Sequence, residues 1–139
     1  MILEEFSLKG KVALITGGGT GIGLGIARGL AEAGASVACV YHTHRPDELE
    51  EYVKSLGGTF LAVRRDLSKM ENLSLLMQDV LRKFGRLDIL VNNSGICPRE
   101  AAINYSETTW DDVMQLNTKT VFFLSQLAAR QFLRQGTAG

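Results

Sequence analysis

Seven of the fifteen glycines fall between Gly17 and Gly29, and the densest part is Thr16-Gly17-Gly18-Gly19-Thr20-Gly21-Ile22-Gly23. An apolar run, Val12 to Thr16, precedes it. Behind it Ile22, Ile26, Leu30 and Ala33 recur at helical spacing, and Gly34 suits the left-handed cap that ends such a helix. A strand that enters a helix through so many residues without Cβ can turn tightly and let a ligand approach the backbone. The helix start then offers unpaired N–H groups and the positive end of its dipole to an anion such as a pyrophosphate. The spacing is Thr-Gly-x-x-x-Gly-x-Gly, with Gly17, Gly21 and Gly23 as its fixed members, and no P-loop lysine follows.

The rest of the chain repeats the strand-to-helix alternation. Val37 to Tyr41 reads as a second strand, then Pro46 opens a helix carrying Leu49, Tyr52, Val53 and Leu56 before Gly57-Gly58 stops it. Phe60 to Val63 is a third strand. Met70, Leu73, Met77, Val80, Leu81 and Phe84 mark a helix closed by Gly85, Leu87 to Asn92 is a fourth strand, and a long helix capped near Ser106, Thr109 or Asp111 reaches to about Arg134. Strict alternation predicts an α/β fold: a doubly wound parallel sheet with helices on both faces. Ligands of such sheets sit beyond the strand carboxyl ends, which directs attention to Thr16–Gly23, Tyr41–Arg45, Asp66 and Asn92–Gly95.

At 139 residues the chain supports one compact unit. Fifteen basic and fifteen acidic residues leave no net charge, which argues against nucleic acid or an anionic membrane as partner. No apolar run approaches the ~20 residues of a membrane span. Met1 to Leu8 carries two glutamates where a secretory leader would be basic. Cys39 and Cys97 alone, without a Cys-x-x-Cys, predict a reduced, cytoplasmic protein with no metal site.

Three further signals lie at the predicted mouth. Asn92-Asn93-Ser94-Gly95 places short amides and a glycine at the end of strand four. Asp66 ends strand three, where its carboxylate either accepts from an adenine amino group or caps the helix that starts near Ser68. Asn117, four residues from both Val113 and Val121, falls on the apolar stripe of the last helix and is expected as a buried, paired amide.

Together, the glycine turn, the Asn-Asn-Ser-Gly turn and Asn117 resemble the short-chain dehydrogenase/reductase family from about Ser7 onward. The segments Phe6 to Gly17, Trp110 to Asn117 and Val121 to Gln126 are most similar to its sugar-acid members, the 2-deoxy-D-gluconate 3-dehydrogenases and gluconate 5-dehydrogenases. The resemblance implies a Rossmann-like sheet in the order 3-2-1-4, continued by further strands in the family. It also implies an NAD(P)-dependent oxidoreductase moving hydride to or from a carbohydrate or sugar-acid alcohol or ketone. Gly17, Gly19, Thr20, Gly21, Ile22 and Gly23 would serve the dinucleotide phosphates, Asp66 and Leu67 the adenine, and Asn93, Ser94 and Gly95 the ribose. Ser94 stands where the family more often has Ala.

Of the family's catalytic Asn, Ser, Tyr and Lys, Asn117 matches the first. Tyr41, Tyr52 and Tyr105 are followed four residues on by Arg45, Leu56 and Thr109, so no Tyr-x-x-x-Lys occurs. The expectation is the N-terminal, dinucleotide-binding half of an enzyme of about 250 residues, with strand five beginning near Gly136–Gly139 and the full-length form a homo-oligomer. Truncation would leave Ile89-Leu90-Val91 as an apolar edge prone to self-association. The alternative is a stand-alone, non-catalytic dinucleotide-binding or interaction module.

The cofactor choice stays open at this stage. The end of strand two has Tyr41, His42, Thr43, His44 and Arg45, with no carboxylate between Glu32 and Asp47, which suits the 2′-phosphate of NADP. The sugar-acid dehydrogenases commonly use NAD. Arg99, in the loop after strand four, is a candidate for binding a substrate carboxylate.

Overall fold

A computed structural model describes residues 1–137. Four parallel strands, β1 (Val12–Thr16), β2 (Ser36–Tyr41), β3 (Phe60–Arg64) and β4 (Ile89–Val91), lie in the order β3-β2-β1-β4. Helix α1 (Ile2–Glu5) precedes β1, and α2 (Gly21–Glu32), α3 (Asp47–Ser55) and α4 (Glu71–Phe84) make the crossovers. After β4 come a 3₁₀ turn (Ala102–Asn104), α5 (Glu107–Met114), a π-helical segment (Gln115–Lys119) and α6 (Thr120–Gln135).

Side chains alternate across the strands and sort into two buried layers. Val12, Leu14, Ala38, Val40 and Val63 pack with Leu73, Leu76, Met77 and Val80 of α4 and Leu124 and Ala128 of α6. Ile15, Val37, Cys39 and Phe60 pack with Ala27 and Ala31 of α2 and Leu49 and Val53 of α3. The sheet is therefore covered on both faces, as parallel sheets require. Gly34 and Gly85 sit at φ 101° and 74° beyond α2 and α4, supplying the left-handed turn that residues with Cβ resist.

The sequence reading is revised at three places. Strand four is shorter than Leu87–Asn92 because side chains replace its ladder. Gln135 binds both the N–H and the carbonyl of Leu87, each at 2.8 Å, and the Thr16 hydroxyl takes the Asn93 N–H at 2.9 Å. The last helix begins where expected, with Ser106 Oγ accepting from Thr109 N at 3.0 Å, but it is broken by the π segment. Gly136, φ 69°, caps α6 instead of opening a strand, and the Thr137 N–H returns to Phe132 O; Ala138 and Gly139 lie outside the described residues.

Candidate functional site

The carboxyl ends of β1 and β4 are fastened by two side chains. Thr16 Oγ1 accepts from the N–H groups of Asn93 (2.9 Å) and Ser94 (2.8 Å), and Asn93 Nδ2 donates to the carbonyls of Thr16 (3.0 Å) and Gly17 (2.9 Å). The glycine turn is thereby clamped against the Asn-Asn-Ser-Gly turn. Space there is so tight that a Cβ on Gly23 would lie 2.3 Å from Gly17 O and 2.4 Å from Asn93 Nδ2, and one on Gly17 (φ 64°) would lie 2.9 Å from Ser94 Oγ. Gly17 and Gly23 are thus dictated by the clamp itself.

The same turn leaves its outer donors open. Thr20 is the N-cap of α2 with no side-chain cap, and among the described residues the N–H groups of Thr20, Gly21 and Ile22 find no acceptor in the chain. They are orphan donors at a positive helix end. Beside them lies a cavity of about 420 Å³ walled by Gly17, Gly19, Thr20, Val40, Tyr41 and His42 on one side, by Thr43, His44, Arg65, Asp66 and Leu67 on another, and closed by Ser94, Gly95 and Leu116.

Of the residues expected at the dinucleotide, the cavity brings together Gly17, Gly19, Thr20, Tyr41, His42, Asp66, Leu67, Ser94 and Gly95. Gly21 and Ile22 lie at the helix start outside its wall, with the Ile22 side chain exposed, and Gly23 and Asn93 lie beneath it in the clamp. Arg45 also lies outside: its guanidinium is held by Asp47 and Glu50. Thr43 and His44, from the strand-two corner, line the cavity too, and so do Val40, Arg65 and Leu116, for which the sequence gives no role. Val40 and Arg65 flank strand-end residues with an expected role, so parallel register reveals them, whereas Leu116 is carried in by the π segment and has no sequence signal.

Asp66 shapes the cavity's far end. Its Oδ1 accepts from Ser68 N (3.0 Å) and Ser68 Oγ (2.7 Å), closing a local turn; α4 starts only at Glu71, so this is no helix cap. The Ser68 hydroxyl bond outweighs partial burial and, with the attraction of His42, holds the carboxyl below its ordinary range. Oδ2 keeps acceptor capacity for a donor in the cavity. Cys39, under the glycine turn, is pushed up to about 11 by burial and stays a thiol.

Asn117 does not lie on a buried stripe. The π segment adds a residue to the turn and swings it to the surface, where Oδ1 accepts from Ile96 N (2.9 Å) and Nδ2 donates to Ile96 O (2.8 Å). The amide is paired, as expected, but by the backbone of the loop after β4 and not by the core. A Cβ on Gly95 would lie 3.2 Å from Asn117 Oδ1, so that glycine is what lets the loop pass under the helix. Arg99 lies in the same loop, exposed and with no partner among the described residues.

Doubly wound α/β architecture with a glycine turn at the carboxyl edge defines the class of protein. A family model described as short chain dehydrogenase matches residues 11–139, and the chain belongs to that family. It is 51% identical to a 2-dehydro-3-deoxy-D-gluconate 5-dehydrogenase of Dickeya dadantii and 48% identical to one of Escherichia coli; each match covers all of this chain and 54% of the relative. A short-chain type dehydrogenase/reductase from Mycobacterium marinum superposes with a TM-score of 0.94 at 33% identity, covering 100% of this chain and 57% of that one. A structure from Agrobacterium tumefaciens, provisionally assigned as a 2-deoxy-d-gluconate 3-dehydrogenase and holding NADP, matches with a TM-score of 0.79 at 39% identity over 96% of this chain and 52% of its own. The chain spans about half the length of the curated relatives it matches.

Proposed function

We propose that this chain is the dinucleotide-binding part, within a single domain, of an NAD(P)-dependent oxidoreductase that acts on the alcohol or ketone of a sugar acid. The observation that carries the reading is the row of orphan N–H groups at Thr20 to Ile22 opening beside a cavity that ends at Asp66. A dinucleotide pyrophosphate satisfies those donors and completes the helix start. Gly19 and Thr20 would hold the phosphates, Ser94 and Gly95 a ribose, and Asp66 with Leu67 the adenine, Asp66 through its second oxygen.

When bound, the nicotinamide accepts or donates the hydride. This chain's own part in that chemistry is positional. The Thr16–Asn93 clamp fixes the turn before any ligand arrives, so little ordering is left for binding. Asn117 holds the Ile96 backbone, and with it the loop that leads to Arg99, where a substrate carboxylate would meet a free guanidinium. The sugar-acid class is supported by the names of the Dickeya, Escherichia and Agrobacterium relatives. Those names differ among themselves in the carbon acted on, so the reading goes no finer.

A homo-oligomeric full-length form in the cytoplasm is part of the proposal. It is supported by exposed Trp110, Met114, Phe122 and Phe123 on α5 and α6. Among the described residues no helix is long and apolar enough to cross a membrane.

Isothermal titration of the chain with NAD and NADP tests the reading. Saturable binding of at least one, abolished by Thr20→Pro, is the expected result, since proline removes one orphan donor and crowds the turn. Absence of uptake of both by the folded chain refutes it.

A further inference from the structure

We propose that the open edge of β3 is a docking site for an extended acidic segment of a partner protein, which pairs with the strand's free main-chain groups and lays its carboxylates among Arg64, Arg82 and Lys83. This surface is two strands removed from the glycine turn and owes nothing to a dinucleotide.

β3 pairs with β2 alone. Successive residues of a strand turn their N–H and C=O groups to opposite sides, and the ends of the β2–β3 ladder fix which residues turn which way. Thr59 O accepts from Val37 N at 3.0 Å and Arg65 N donates to Tyr41 O at 2.9 Å, so Leu61 and Val63 also face β2. The N–H and C=O groups of Phe60, Ala62 and Arg64 are left pointing outward, and no turn, loop or side chain among the described residues pairs with them. Such a row is a template for one more strand.

Beside that edge runs a groove of about 600 Å³ between β3 and the end of α4, with Leu61 and Val63 as its apolar floor. Its rim sets Arg64, Arg65, Arg82 and Lys83 against one carboxylate, Asp79. Arg65 holds that carboxylate from Nε (3.2 Å) and Nη2 (2.7 Å), so those two charges offset each other. Arg82 is exposed and approaches Asp79 only to 3.6 Å, and Lys83 has no partner among the described residues. Arg64 is exposed too and spends Nε alone, on the His42 carbonyl at 3.2 Å. The chain as a whole carries no net charge, so the positive excess is local to this groove.

Cations along a strand edge keep like edges apart, so two copies of this chain do not pair β3 to β3. The same cations attract an edge of opposite sign. An added strand puts alternate side chains on opposite faces: one set over Arg82 and Lys83 of α4, the other over Arg64, which is out of step with Leu61 and Val63. Carboxylates on the added strand answer both sets. A nucleic acid would meet the charges, but it has no peptide groups for the open N–H and C=O row and no apolar side chain for the Leu61–Val63 floor.

The probe is a capped octapeptide of alternating glutamate and threonine, titrated into the isotope-labelled chain and followed by amide chemical shifts. Saturable shifts confined to Phe60–Arg65 and the last turn of α4 are expected. Arg82→Gln together with Lys83→Gln, both on an exposed helix turn outside the core, should weaken binding about tenfold or more. The same peptide with its amides N-methylated keeps its charge but loses its main-chain donors, and its affinity should fall about tenfold as well. A peptide of alternating lysine and threonine should not bind. No shifts at roughly millimolar peptide, shifts centred elsewhere, or an affinity unchanged by the double substitution each overturn the proposal. An N-methylated peptide that binds as well as its parent overturns it by revealing an ion-exchange surface in place of a strand site. Duplex DNA that shifts the same amides and displaces the peptide at lower concentration overturns it in favour of a nucleic-acid surface.

Discussion

The junctions on either side of β1 and β2 are held by different means. β1 and β4 share only three residue pairs, Ala13↔Ile89, Leu14↔Leu90 and Ile15↔Val91, whereas β1–β2 and β2–β3 each share five. The short ladder is closed at both ends by buried or half-buried side chains. Asp88 takes the Val12 N–H at one end; Thr16 and Asn93 join the turns at the other. Among the described residues the long ladders have no buried fastener of this kind, only the exposed Arg64 Nε on the His42 carbonyl at 3.2 Å, and the loop after β2 is held by exposed ion pairs such as Arg45 with Asp47. Exposed pairs contribute little to stability. One corner of the mouth is therefore rigid and built for a constant group, the pyrophosphate, while the other can change its side chains at small cost and is where ligand selectivity can be set.

The comparison breaks most severely if the rigid corner is overfilled. Gly23→Ala puts its Cβ 2.3 Å from Gly17 O and 2.4 Å from Asn93 Nδ2, and the first of these is backbone that cannot step aside. A loss of about 3 kcal/mol or more is expected in urea denaturation, with dinucleotide binding lost as the turn opens. Thr16→Val is next. It keeps shape but strips the acceptor shared by Asn93 N and Ser94 N, leaving two half-buried donors without a partner, and about 2 kcal/mol should go. An equal loss from replacing a residue of the β2 loop, such as Thr43→Val, would show that the two corners are not held differently after all.

What was legible in the sequence follows the same division. Gly17, Gly23 and Asn93 could be picked out because the clamp needs those residue types and few others; the parallel α/β sheet followed from the alternation of apolar runs with helical periods, and its strand order from the family resemblance. Asn117 was placed on a helix stripe because periodicity assumes 3.6 residues per turn, and nothing local in Gln115–Lys119 announces a π segment. Arg45 was read from its charge type and position. The acids that disarm it, Asp47 and Glu50, are two and five residues on, close enough to notice but decisive only once the first turn of α3 brings them to its side. The strand-four boundaries failed for a comparable reason: the Gln135 amide that stands in for a ladder partner at Leu87 comes from 48 residues away.

The smallest effect concerns the other end of the β1–β4 junction. Asp88 is buried, accepts from Val12 N at 2.8 Å and from Arg86 Nη2 at 2.6 Å, and joins a β-strand start to the loop before it. Burial alone would raise its carboxyl, but the Arg86 guanidinium and the Val12 N–H outweigh it and hold the pKa below the ordinary 3.8. The folded chain then binds fewer protons than the unfolded chain between the two values, so the stabilisation is complete above the unfolded value and is lost as pH falls through the folded one. Urea midpoints should be flat in this contribution from pH 7 to about 5 and fall as the pH drops below the ordinary aspartate range, with the loss much reduced in Asp88→Asn. If the variant instead shows the full acid dependence of the parent, the short ladder owes nothing to this carboxylate and the side-chain fastening of β4 rests on Thr16, Asn93 and Gln135 alone.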